Sequence, residues 1–116
     1  MKPAKHNLKI YAGATFVSAL EWKVGATGVD LAGATARMQV RKNVRSPTVL
    51  LLLTTENGGI KLDLDVLGAF RLEMSDEETS LLTFTTGQYH LEFELPDGTV
   101  RRLLEGTVTV SPEITR

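Results

Sequence analysis

The sequence predicts a mostly β protein, a two-sheet antiparallel sandwich with one short helix. Three observations carry that prediction. Apolar residues recur at every second position through most of the chain, the alternating runs are short and divided by glycine- or proline-bearing turns, and only one helix-start signature occurs.

The elements follow in order. Leu8 and Ile10 open the alternation, and Phe16, Ser18, Leu20, Trp22 and Val24 share one face of a long second segment. A turn over Gly25-Ala26-Thr27-Gly28 precedes Ala36, Met38 and Val40, whose neighbours Arg37, Gln39 and Arg41 face the other way. Thr48 to Thr54 forms the next strand. The turn Glu56-Asn57-Gly58-Gly59 is expected to fold it back as a hairpin on Ile60, Leu62 and Leu64, with Lys61, Asp63 and Asp65 on the opposite face. Phe70, Leu72 and Met74 continue the apolar face.

Ser75-Asp76-Glu77-Glu78 is a capping box, because Ser75 can accept from the Glu78 N–H while the Glu78 carboxylate reaches back. A helix from Asp76 to about Leu82 is too short to be stable alone, so Leu81 and Leu82 are expected to dock it on the sheet. Tyr89, Leu91, Phe93 and Leu95 then alternate with Gln88, His90, Glu92 and Glu94, and Pro96-Asp97-Gly98 turns the chain into Thr99 to Val110. In that return strand Val100, Leu104, Val108 and Val110 keep one phase while Leu103 leaves it, which predicts a bulge between Leu103 and Gly106, with a slipped register as the alternative. About seven or eight such strands and one helix fit an immunoglobulin-like sandwich better than a small barrel. No repeat or composition shift divides residues 1–116, so one domain is expected.

Composition narrows the function classes. The chain is 42% hydrophobic and 23% charged, within the ordinary range for a folded domain. With 13 basic and 14 acidic residues the net charge is −1, so no global field draws it to nucleic acid or an anionic membrane. The absence of cysteine removes disulfides, thiolate metal sites and cysteine nucleophiles together. The basic start Met1-Lys2-Pro3-Ala4-Lys5-His6 is followed by no apolar region of signal-peptide kind, so no secretory leader is expected. The longest apolar run, Val49 to Leu53, is far below the roughly 20 residues of a spanning helix.

Candidate chemistry is sparse. His90, Glu92 and Glu94 share a strand face and are suitable metal ligands, but residues two apart on a strand lie ~6.6–6.8 Å from each other, so a solvated face is the better reading. Asp63 and Asp65 suggest paired carboxylates, yet strand alternation accounts for them equally. Ser18, Ser46, Ser75 and Ser80 sit in no nucleophile-elbow motif, and the glycine-rich turns lack the ending of a phosphate loop. Arg37, Arg41 and Arg45, with Arg101, suggest a basic patch, but no aromatics interleave with them for base stacking. No catalytic residue, cofactor or metal is therefore expected.

The run Val49-Leu50-Leu51-Leu52-Leu53 is apolar on both strand faces, and each face must be covered. One face belongs in the core; the other, taken as Val49, Leu51 and Leu53, is expected either to lie under a loop or helix of the same chain or to form a subunit or partner contact.

An ordered series of motifs spans nearly the whole chain. It runs Gly13-Ala14-Thr15-Phe16, Val29-Asp30-Leu31-Ala32-Gly33-Ala34-Thr35, Arg37-Met38-Gln39-Val40-Arg41 and Ser75-Asp76-Glu77-Glu78-Thr79. Gly87-Gln88-Tyr89, Asp97-Gly98-Thr99-Val100, Glu105-Gly106-Thr107-Val108-Thr109-Val110 and Ile114-Thr115-Arg116 complete it. The series resembles that of the small β-sandwich proteins of tailed bacteriophages and prophages, including the N-terminal domains of upper baseplate proteins. Ala14 stands where that pattern carries an acidic residue. The resemblance implies a non-enzymatic virion protein of the tail or baseplate, present in the bacterial cytoplasm during assembly, that forms homo-oligomers and contacts other tail proteins. The rival expectation is a ligand-binding sandwich such as a carbohydrate-binding module, although Trp22, in phase with the core, is expected to be buried.

Overall fold

A computed structural model describes residues 3–112, so the expected terminal motif Ile114-Thr115-Arg116 lies outside the described residues. The elements are β1 (Ala4–Lys5), β2 (Leu8–Tyr11), β3 (Phe16–Glu21), β4 (Lys23–Val24), β5 (Thr27–Gly28) and β6 (Thr35–Arg41). They continue with β7 (Val49–Thr54), β8 (Ile60–Leu62), β9 (Ala69–Met74), α1 (Asp76–Ser80), β10 (Thr86–Glu94) and β11 (Val100–Ser111).

Two sheets face each other. The larger runs β7-β6-β10-β11, and β1 and β2 follow one another along the far edge of β11, both parallel to it. The smaller sheet is β3-β9-β8, and β4 and β5 form a separate hairpin. The core lies between the sheets: Ala36, Met38, Val40, Tyr89, Leu91, Phe93, Val108 and Val110 meet Phe16, Ile60, Phe70, Leu72 and Met74. Phe93 sits at its centre, with ring centroids 5.1 Å from Phe70 in an edge-on pair and 5.4 Å from Trp22.

The alternation in β6, β9 and β10 places the side chains as the sequence predicts. Pro96-Asp97-Gly98 makes the β10–β11 turn, with Gly98 at φ 89° and the Thr99 N–H donating to Asp97 Oδ1 at 2.8 Å. The register slips opposite Leu91 and Glu92, which pair with Leu104 and Arg102 and leave Leu103 as the extra residue of a bulge. That extra residue is why two consecutive leucines, buried Leu103 and half-buried Leu104, both reach the core.

Other expectations change. The Glu56 to Gly59 turn does not close a hairpin: β7 pairs with β6 and β8 with β9, so the turn carries the chain from one sheet to the other. Asn57 makes the crossing, its Oδ1 accepting from the N–H groups of Thr54 and Gly59 while its Nδ2 donates to the Leu52 carbonyl. The second segment ends at Glu21 rather than Val24: the Trp22 N–H bonds Gly68 while its carbonyl accepts from Val29, and Val24 is left exposed. Asp63 and Asp65 lie beyond β8, in a turn where the Asp65 N–H donates to Asp63 Oδ1.

The capping box at Ser75 and Glu78 forms, but the helix stops at Ser80; Leu82 packs partly buried on the core as expected, whereas Leu81 is 77% exposed. Thr79, with no exposed surface, anchors the helix as well. Its hydroxyl accepts from the Gly13 N–H at 3.0 Å and donates to the Ala14 carbonyl at 2.9 Å. A second polar tie closes the other side of the core. Tyr89 is paired with Gly106 across the β10–β11 ladder, and its hydroxyl donates to the His6 carbonyl beyond β11. A Cβ on Gly106 would lie 2.5 Å from that carbonyl oxygen, so only glycine allows the approach.

Candidate functional site

The outer face of the larger sheet is built by the residues that alternate away from the core. Register sets Arg41 beside Gln88, Gln39 beside His90 and Arg37 beside Glu92 across β6 and β10. On the far side of β6, Leu52 lies beside Gln39 and Thr54 beside Arg37. On the far side of β10, Glu105 lies beside His90 and Arg102 beside Glu92.

The polar contacts on this face are loose. Arg37 Nη2 is 3.9 Å from Glu92 Oε1, and His90 Nε2 is 4.0 Å from Glu105 Oε1. Exposed pairs of this kind contribute about 0–1 kcal/mol. Arg41 is held more firmly, donating at 2.8 Å to both the Ser46 carbonyl and Gln39 Oε1. Neither acceptor is charged.

Two shallow depressions adjoin here. One, about 380 Å³, lies over Arg37, Gln39, Arg41, Gln88, His90 and Glu92, with Asn43 and Val44 among its other lining residues. The other, about 480 Å³, shares Arg37, Gln39 and Glu92 and extends to Leu52, Glu94 and Val100. Their common floor is polar, and exposed Val44, Leu52 and Val100 lie among the lining residues.

The sequence-predicted site residues fall out unevenly. His90 and Glu92 share the face, but each is directed to a neighbour of its own, and among the described residues no three His, Cys, Asp or Glu side chains converge as metal ligands. Asp63 and Asp65 belong to a loop turn rather than a strand face. The four arginines do not gather. Arg37 and Arg41 share the face, Arg45 is exposed in the β6–β7 loop, and Arg101 lies near the opposite end of the sheet, where β10 ends beside Thr35.

The expected contact residues Val49, Leu51 and Leu53 require correction. Leu53 is 3% exposed and Leu51 packs half-buried on the core, so neither presents to a partner; Val49, 39% exposed, lies at the strand start. The reason is register: Leu51 and Leu53 pair with the inward-facing Val40 and Met38. A second bulge follows, since Arg41 pairs with Val49 and leaves Leu50 as the extra residue, half-buried beside Gly87. Three of the four leucines are thereby covered within the chain, and Leu52, 43% exposed, is the one on the outer face. Periodicity alone hides this, since five consecutive apolar residues show no phase.

Trp22 is 5% exposed and packed on Phe93, so it offers no platform for a sugar ring, as its phase predicts. No known family pattern and no curated protein matches the chain. Among solved structures, the chain is similar to the NK cell receptor Nkp44, described as a triggering partner in natural cytotoxicity. The identity is 16% over 96% of this chain and 100% of that one, with a TM-score of 0.51. The fold is an immunoglobulin-like β-sandwich. Tim-1 also matches, at 14% identity and TM-score 0.45 over 100% of this chain and 99% of that one. A structure from work on cell-adhesive interactions of VGSC beta subunits matches at 12% and 0.47, over 96% and 93%.

Proposed function

We propose that the chain is a non-enzymatic structural protein of a tailed phage or prophage, a tail or baseplate component that assembles through the outer face of its larger sheet. The observation that carries the docking surface is the pair of adjoining depressions sharing Arg37, Gln39 and Glu92. A broad, shallow, largely polar floor with apolar residues along it suits a second protein surface better than an enclosed small ligand. The motif series supports the phage reading. Two pairs of its motifs meet in space: Thr79 binds Gly13 and Ala14, and Tyr89 pairs with Gly106.

On this reading the chain self-associates and contacts other tail proteins. It resides in the virion tail after passing through the bacterial cytoplasm during assembly. Solution mass by light scattering across protein concentration tests it. The unaltered chain forms a defined oligomer, Leu52→Glu dissociates it with unchanged circular dichroism, and a strict monomer at every concentration counts against self-association.

A further inference from the structure

The edges of the two sheets are protected unequally. At β7, Asn57 occupies the Leu52 carbonyl and the Thr54 N–H, so a neighbouring strand finds those groups already bonded. The β8 edge is three residues long. Beyond β11 the edge is formed by β1 and β2, two and four residues long. Among the described residues the longest edge left open is β3, six residues without proline or bulge, paired there with β9 alone.

Hydrogen-bond parity shows which groups it leaves open. The Glu73 N–H bonds Gly59 on the β8 side, so Phe70, Leu72 and Met74 direct their backbone groups to β3, where they pair with Leu20, Ser18 and Phe16. The Trp22 N–H bonds Gly68 in the same phase. The N–H and C=O groups of Val17, Ala19 and Glu21 therefore point away from the sheet, and none has a partner among the described residues. Val17 is 57% exposed and Ala19 is exposed, and the strand's one charged residue, Glu21, is paired with Lys23 at 3.1 Å. In constant-type immunoglobulin sandwiches a first strand covers this edge. Here both early strands lie on β11 instead.

Beside this edge lies a mainly apolar cleft of about 230 Å³, between Leu20, Trp22 and Phe70 on one side and Ala4, Leu103 and Leu104 on the other. Trp22 also carries a buried indole N–H with no acceptor among the described residues. A strand added to β3 directs every second side chain toward this cleft. A second copy pairing through its own β3 does not fill it, because Phe16, Ser18 and Leu20 of that copy are turned into its own sandwich.

We infer that the β3 edge is a strand-acceptor site for an extended segment of a partner protein bearing small apolar side chains at alternate positions. The site is on the smaller sheet and independent of the outer face, so Leu52→Glu leaves it intact.

The test uses the full chain, with Trp22 as reporter, and a synthetic peptide of alternating valine and threonine flanked by lysines. The peptide shifts tryptophan emission saturably. Ala19→Pro removes an N–H that β9 does not use and weakens binding about tenfold or more, while thermal unfolding confirms the fold. The peptide N-methylated on alternate residues loses binding to the unaltered chain in one of its two phases, a control that leaves the protein untouched. No saturable shift overturns the inference, as does indifference to both the proline and the methyl groups. Dimerisation of the chain alone that Ala19→Pro abolishes also overturns it, because the occupant is then a second copy.

Discussion

The Thr79 hydroxyl and the Ala14 carbonyl, 65 residues apart in sequence, are joined by a 2.9 Å hydrogen bond that fastens α1 to the β2–β3 turn. The same oxygen accepts from Gly13, so one fully buried side chain satisfies both a donor and an acceptor of the turn. Ala14 contributes its backbone carbonyl to this tie.

Thr79→Val keeps the shape and removes the hydroxyl, leaving the Gly13 N–H and Ala14 carbonyl without their partner. The expected loss is about 1–3 kcal/mol of unfolding free energy, read by denaturant titration, with Thr79→Ser recovering most of it. Equal stability of the valine variant and the parent contradicts the anchoring role.

Tyr89 and Gly106 form the second tie. Burial pushes the Tyr89 phenol up to about 12, above an unfolded value of about 10. The neutral phenol is the form the fold favours, so its contribution is complete below about pH 10 and is lost as pH rises toward 12. Alkaline unfolding followed by circular dichroism and tyrosinate absorbance should show the coupling, and Tyr89→Phe should remove that part of it. Gly106→Ala forces the His6 carbonyl away and should lower stability by about 1–3 kcal/mol.

At acid pH the sign reverses. Hydrogen bonds first from Lys61 and then from Arg71 hold the Glu73 carboxyl below its ordinary value. Its contribution is present above an unfolded pKa of about 4.3 and is lost as pH falls through the lower folded value. Glu73→Gln should flatten the dependence of midpoint denaturation on pH below about 4.3, with its destabilisation present at neutral pH and fading as pH falls.

The register of β7 on β6 predicts opposite outcomes for adjacent leucines. Leu53→Ala empties a buried site and should cost about 2–5 kcal/mol, whereas Leu52→Ala, on the outer face, should stay within about 0.5 kcal/mol of the parent. Denaturant midpoints of the two variants decide it; comparable losses contradict the register.

These contrasts mark where the sequence is legible. Alternation around Met38, Leu72 and Leu91 is a local property, and the phase slip at Leu103 announces its bulge. The bulge at Leu50 leaves no such trace, because every neighbour is apolar. The turn at Asn57-Gly58 has the same chemistry whether the chain folds back or crosses to the opposite sheet, and only long-range pairing with β6 and β9 decides between them. The outer face was half visible. Arg37, Gln39, His90 and Glu92 alternate outward on their own strands, but their union depends on a register set by residues 47 to 59 positions apart.

The most direct measurement is a backbone amide chemical-shift map of the isotopically labelled chain as unlabelled chain is added. Assembly through the outer face shifts resonances centred on Arg37, Gln39, Leu52, His90 and Glu92, and the shifts are absent in the Leu52→Glu variant. Changes confined to the β3-β9-β8 sheet, or none at any concentration, contradict it.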